Sequence, residues 1–574
     1  MRIKFLLVAF LAVSIHSQMA FSADRFFVLS GGDSPSNNHY SQYLQTKTLA
    51  DWLKNHFGEK RVDVLFGIGN SPKNPKIFPD VHAKFERDDG FLHQVFYGVI
   101  ANNRPATRQE TVQALRKAVQ ATPQDDTFFL FVSDHGMPNQ DADNYEDNCI
   151  NLWSYNPKDE SKGEWKDMCL SRKELQSLLK RDGKTVFAMS QCYSGSFHRM
   201  SVTNTDGYPA ANPNVCGFTA VPEDMMASGC TDDVQADRYQ GYERSFTEML
   251  TGRDVVTARR ITGASQPSMK LAHEAAVLRD MTLDIPLSTS DVYLEAWYYL
   301  FYEDDFHPRS GNFSADEIRS MADDVVSLRL TRSEIIHRSK ALSTLASERL
   351  THLENTVTAL SQHNPKITAL LSTGDEAALE EHIVIIDHKM DTLDKDLAKL
   401  YRLARKTYYQ KLFKPWHKAL KHGEVQNLNV EEKNIFEKKY FSYLEQWFGT
   451  DSDAEPAIES HLILALSKLV SKNPPRAKRF ATYWQGREKR VTDWAHSRGE
   501  KKFVPLLTKL SEWNAEIENK NNTYDALFAE RSHVLRILRA RRQLAALVVL
   551  GALEDSVAIK ETTGLAQCEA TTFR

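Results

Sequence analysis

Two residues in the first half of the chain could together make a nucleophile. The run "TVFAMSQCYSGSF" (185–197) is apolar and β-prone until it stops at Cys192 and turns through Ser194-Gly195-Ser196. A cysteine kept for packing usually sits inside such a run, where its small apolar thiol fills space. The run "TFFLFVSDHGMP" (127–138) has the same design and ends at Asp134-His135-Gly136. If both runs are strands of one α/β sheet, imidazole and thiol meet at the carboxyl rim, where such sheets bind ligands. The chemistry needs this pair, because a free thiol has a pKa of about 8.5 and only the thiolate attacks. Gly136 would bring a bare backbone N–H to the substrate. With the Cys192 N–H it would form an oxyanion hole, worth about 3 kcal/mol per donor.

Those positions depend on the elements that carry them. "RFFVLS" (25–30), "RVDVLFG" (61–67), "TFFLFVS" (127–133), "TVFAMS" (185–190) and "VCGFTAV" (215–221) are short aromatic or β-branched runs. Amphipathic stretches such as "YLQTKTLADWLKNHF" and "TRQETVQALRKAVQA" lie between them. This alternation predicts an α/β domain with a mostly parallel sheet and helices on both faces. His135 and Cys192 are 192 − 135 = 57 residues apart, room for one crossover and an inserted loop. The long segment "DADNYEDNCINLWSYNPKDESKGEWKDM" supplies that loop. Its acidic start departs from a calcium-binding pattern at Tyr145 and lacks the following glycine.

After about residue 305 the strand pattern ends. "EDDFHPRSGNFSADE" reads as a linker, with Ser314 as a helix N-cap. Beyond it Ile383, Ile386, Met390, Leu393, Leu397, Leu400 and Ala404 form an apolar seam of helical period, and Ala346, Leu350, Leu353, Val357 and Leu360 form another. Pro365 and "STGDE" separate the two, which predicts an antiparallel helical pair within a large all-α region. The ten apolar residues 544–553 are too few to span a bilayer and predict a buried terminal helix.

Length and composition set the frame. The 574 residues exceed one ordinary core, and the expected divisions are 1–22, 23–305 and 306–574. A formal charge of −4 gives no argument for a nucleic-acid partner. At the amino end, Arg2 and Lys4 precede the apolar run Phe5 to Ile15, with small residues Ala20 and Ser22 beyond it. This predicts a cleaved signal peptide and a secreted or periplasmic protein. Export permits disulfides. Of the six cysteines, Cys149–Cys169 and Cys216–Cys230 are the nearest-neighbour pairs, a guess because sequence does not fix connectivity.

The two blocks around His135 and Cys192 resemble those around the catalytic histidine and cysteine of the legumains, the asparaginyl endopeptidases, a family that also includes the catalytic subunit of the GPI transamidase. The order His then Cys is also that of caspases. "RFFVLSGGDSPSNNHYSQY" is similar to the family's first strand and Asn-bearing segment. "TAVPEDMMASGCTDDVQADRYQGYERSFTEML" is similar to its stretch of small and acidic residues, so the likeness covers about residues 25–250. The resemblance implies a caspase-like sheet and a cysteine endopeptidase needing no metal or organic cofactor. Cys192 would be the nucleophile, His135 the general base and Asn38 the residue orienting the imidazole, with the Gly136 and Cys192 amides binding the oxyanion.

Specificity departs from the family. The positions of its substrate-reading Arg and Glu hold Tyr40 and Tyr193, and only the later acid, Asp233 or Asp232, is retained. The pocket therefore keeps an anion without its cation, which suits a basic P1 side chain. If Asp233 turns away, Tyr40 and Tyr193 suit an apolar one. The implied partner is a protein or peptide substrate, with the helical half as an intramolecular inhibitor or a protein-interaction module. Two further readings are a transpeptidase or transamidase, in which an amine resolves the acyl-enzyme, and a catalytically silent binding protein working through the helical half.

Overall fold

The computed structural model describes residues 24–34, 37–69, 81–86, 91–97, 100–142, 144–155, 163–230, 240–261, 266–421, 487–497 and 503–574. The 1–22 segment lies outside them. Strands β1 (Arg25–Ser30), β2 (Val62–Phe66), β3 (Phe128–Ser133), β4 (Thr185–Met189) and β5 (Val215–Thr219) are the five runs read from the sequence, and with β6 (Leu287–Ser288) they form one sheet. The strand order is β6-β5-β4-β3-β1-β2, all neighbours parallel except β5 with β6. The chain is thus an α/β domain followed by a large helical region.

Alternation along each strand sends side chains to two cores. Phe27, Leu29, Leu130, Val132, Phe187 and Met189 face one side, with helices α2 (Arg108–Gln120) and α3 (Arg172–Leu178). Phe26, Val28, Phe129, Phe131, Val186 and Phe218 face the other, with α1 (Tyr40–Phe57), α4 (Tyr242–Thr251), α5 (Met269–Arg279) and α6 (Thr289–Phe301).

That second core runs on without a break into the helical half: α7 (Ala315–Val326), α8 (Ser343–His363), α9 (Glu376–Lys406), α10 (Val504–Leu553) and α11 (Ser556–Glu569). Ser314 caps α7 in a reciprocal box with Glu317. The two predicted seams are helical, on α8 and α9, but the antiparallel pair is corrected. Each packs chiefly along α10, whose apolar end 544–553 is buried. A seam specifies that a stripe is covered and not by what, so an equally apolar helix 150 residues away takes the place of the neighbour.

The presumed linker is pinned as well. Phe306 is buried, Arg309 lies over the Tyr208 and Trp297 rings, and its guanidinium pairs with Asp555 at 3.0 Å. Cys149–Cys169 forms as expected. Cys216, however, is bonded to Cys568 across 352 residues, not to Cys230. The cause is packing: α11 lies against β5 and brings Cys568 to it. Among the described residues no helix is long and apolar enough to cross a membrane.

Candidate active site

Strands β3 and β4 are in parallel register, with Val132 opposite Met189. His135 and Cys192 each follow three residues after this pair, just past the strand ends at the sheet's carboxyl rim, where neighbouring strands lie about 4.8 Å apart. The Ser190 N–H still donates to the Val132 carbonyl at 3.0 Å, so pairing reaches into the turn. The backbones then touch. A Cβ placed on Gly136 would fall 1.8 Å from the Cys192 carbonyl oxygen, so only glycine fits here.

The imidazole is held by the segment after β1. Its Nε2 lies 2.9 Å from the Asn37 carbonyl oxygen. A carbonyl only accepts, so Nε2 carries the proton and Nδ1 is left with the lone pair that a base needs. His39 stands edge-on to the His135 ring, centroids 4.5 Å apart at 90°. Asn38, between Asn37 and His39, is buried, and its Oδ1 has no hydrogen-bond partner among the described residues. The orienting bond expected of the Asn38 side chain is thus made by the backbone of Asn37. No sequence signal marks a carbonyl. Below, the buried Asp134 carboxylate accepts from the Gly32 N–H at 2.8 Å and the His135 N–H at 2.7 Å. Burial holds this carboxyl well above the usual range despite those bonds.

Cys192 is less open than a strand end suggests, with 7% of its surface exposed. The segment 222–228 covers it, and the Ala227 N–H donates to Sγ at 3.3 Å. This cover explains the small turn after the cysteine. A Cβ on Gly195 would lie 2.4 Å from the Glu223 nitrogen. Tyr193 takes the left-handed conformation, φ 59° and ψ 21°, and its N–H donates to the Met225 carbonyl at 2.7 Å. Such strain in a non-glycine residue costs about 1–3 kcal/mol and is concentrated at functional sites. Buried Asn148 ties the two segments, donating to the carbonyls of Tyr193 at 3.1 Å and Glu223 at 2.8 Å.

Of the expected specificity residues, Tyr193 stacks on Tyr145 with centroids 5.8 Å apart, and Tyr40 opens α1. Asp232 and Asp233 lie outside the described residues. Asn37, His39, Asn148 and Ala227 were not anticipated from the sequence. Three of them act through backbone or ring contacts that leave no pattern, and Asn148 was hidden in the long loop. That loop is partly built: Gly136–Met137, Cys149–Asn151 and Cys169–Ser171 form a three-stranded antiparallel sheet clamped by Cys149–Cys169. Among the described residues no three His, Cys, Asp or Glu side chains converge as a metal set.

No known family profile matches the chain, and no curated protein does. Among solved structures it is similar to the crystal structure of protein GSU0716 from Geobacter sulfurreducens, at 14% identity and a TM-score of 0.27, over 46% of this chain and 92% of that one. A likeness that slight bears on neither fold nor function.

Proposed function

We propose that the protein is an exported cysteine endopeptidase of legumain-like type, with a caspase-like catalytic sheet. The observation that supports the reading is the register of β3 and β4 together with the close approach of Gly136 to the Cys192 carbonyl, which brings the two strand ends side by side. His135 Nδ1 takes the thiol proton, the sulfur attacks the scissile carbonyl carbon, and the Gly136 and Cys192 amides stabilise the oxyanion. Collapse expels the amine, which leaves with the proton from the imidazolium, and a thioester remains on Cys192. Water, deprotonated by His135, then releases the acid. The Ala227 N–H, 3.3 Å from the sulfur, favours the thiolate more than the Ala227 carbonyl at 3.9 Å favours the thiol, as the shorter contact is the donor to the charged form.

Export is supported by the signal-like amino end and by two disulfides, which persist in oxidising compartments. A peptide library presented to the full chain tests the activity and reads the P1 side chain in one assay. Cleavage lost in both Cys192→Ala and His135→Ala supports the reading, and cleavage retained in either removes it.

A further inference from the structure

A buried polar chain runs from the helical half to the sulfur of Cys192. Arg536, on α10, donates to the carbonyls of Asp280 at 2.7 Å and Val277 at 3.0 Å, capping the end of α5. Its guanidinium is 3.6 Å from the Asp280 carboxylate. That carboxylate accepts from the Thr282 hydroxyl at 2.7 Å, and the Thr282 and Ser228 hydroxyls lie 3.0 Å apart. Asp284, wholly buried, accepts from the Ser228 N–H at 2.7 Å, the Ser228 hydroxyl at 2.6 Å and the Tyr242 N–H at 2.9 Å. Ser228 follows Ala227, whose N–H meets Sγ of Cys192.

We propose that Asp284, supported by Arg536, is a positioning residue for Cys192: it fixes Ser228, aims the Ala227 N–H at the sulfur, and so makes the reactivity of the nucleophile depend on the helical half. The inference deepens the peptidase reading and rests on it for its biological meaning. The physical case is that buried carboxylates are costly unless paired or hydrogen-bonded. Of the two here, Asp280 lies beside the Arg536 cation, and Asp284 is held by two N–H donors and one hydroxyl. Burial raises both, Asp280 to about 7. The three bonds from Asp284 all end on backbone or side chain within one residue of the sulfur's donor or at the start of α4. An apolar core would hold α10 in place without a buried cation. The cation's three contacts all fall on the α5 end and the Asp280 carboxylate, which lead to the site.

The test is the rate at which iodoacetamide alkylates Cys192 in the full chain between pH 5 and 9, with Cys192→Ala as the baseline. It reads the thiolate directly and requires no peptide cleavage. Asp284→Asn and Arg536→Met are each expected to move the profile to higher pH and slow alkylation at pH 6 roughly three- to tenfold. Arg536→Lys, which keeps the cation, should restore most of it. Arg541→Met is the control, since Arg541 binds the Gly374 and Leu371 carbonyls far from the sulfur and should lower Tm with no shift in profile. Should Asp284→Asn fail to fold, Ser228→Ala removes one bond of the same carboxylate and is expected to shift the profile in the same direction. The proposal is overturned if the folded variants keep the wild-type profile, or if Arg541→Met moves it equally. A shifted profile in a chain that cleaves no peptide would instead overturn the peptidase reading alone.

Discussion

Tyr193 and Gly136 carry the conformational demands of the site, one by adopting a strained backbone and one by having no side chain. Gly136→Ala must push the β3 and β4 rims apart, since its methyl would overlap the Cys192 carbonyl. We expect it to abolish cleavage and to destabilise the fold by about 1–3 kcal/mol, as overpacking does; an active Gly136→Ala enzyme would show that the two rims need not touch. Cys192→Ala, in contrast, removes one sulfur at the edge of the core. It should end activity and lower stability by only about 1 kcal/mol, the cost of the Ala227 N–H losing its sulfur partner. A second residue-scale prediction concerns acid. His198 is sealed between the Thr289 and Thr219 hydroxyls, 2.9 and 3.0 Å away, and burial lowers it to about 3, against about 6.5 in an unfolded chain. The neutral ring's contribution is therefore complete above pH ~6.5 and is lost as pH falls toward 3, because the unfolded state binds the extra proton. Tm measured from pH 7 to pH 4 should fall less steeply in His198→Gln. Parallel curves would mean that His198 is not a source of the acid loss.

At the scale of elements, the five long strands were legible because their aromatic and β-branched runs are buried on both faces. β6 was not, since two residues carry no period, and its place is set by the Ser288 cap of α6. That His135 and Cys192 fall at neighbouring strand ends was legible for the same reason as the strands: each run breaks at a residue that could do chemistry. What the sequence withheld is the cover. Segment 222–228 has no apolar period, and its role follows from hydrogen bonds to backbone atoms of the cysteine turn. Asn148 ties cover to turn beside the Arg199–Glu223 pair, so Asn148→Ala should take a donor from the Tyr193 carbonyl and leave the part-buried Glu223 carbonyl short of one, at about 1–3 kcal/mol. If kcat falls several-fold while KM holds, the cover positions the sulfur. A change in Tm alone would reduce Asn148 to a structural tie.

The whole molecule departs furthest from the two-part reading. The division at 306 follows a real change of pattern, yet the last residues return to the sheet. Phe573 packs among Phe26, Trp52, Phe57 and Phe129, and the Arg574 N–H donates to Asp24 at 2.9 Å. Long-range closure of this kind leaves no local signal. Cys568→Ser should cost roughly 2–5 kcal/mol, the usual loss for a native disulfide. An unchanged midpoint in guanidinium would show that packing of α11 suffices without the bond. Removing the helical half would uncover the outer sides of α5 and α6 and the flank of β5 that α11 covers, so a chain cut at 310 is expected to be insoluble rather than more active. Acid quenching during turnover tests the covalent step on Cys192 most directly. Mass spectrometry of the full chain mixed with a cleaved peptide should find an acyl thioester on the fragment bearing Cys192, absent in His135→Ala. Steady cleavage with no adduct on that fragment, undiminished in Cys192→Ala, would contradict it.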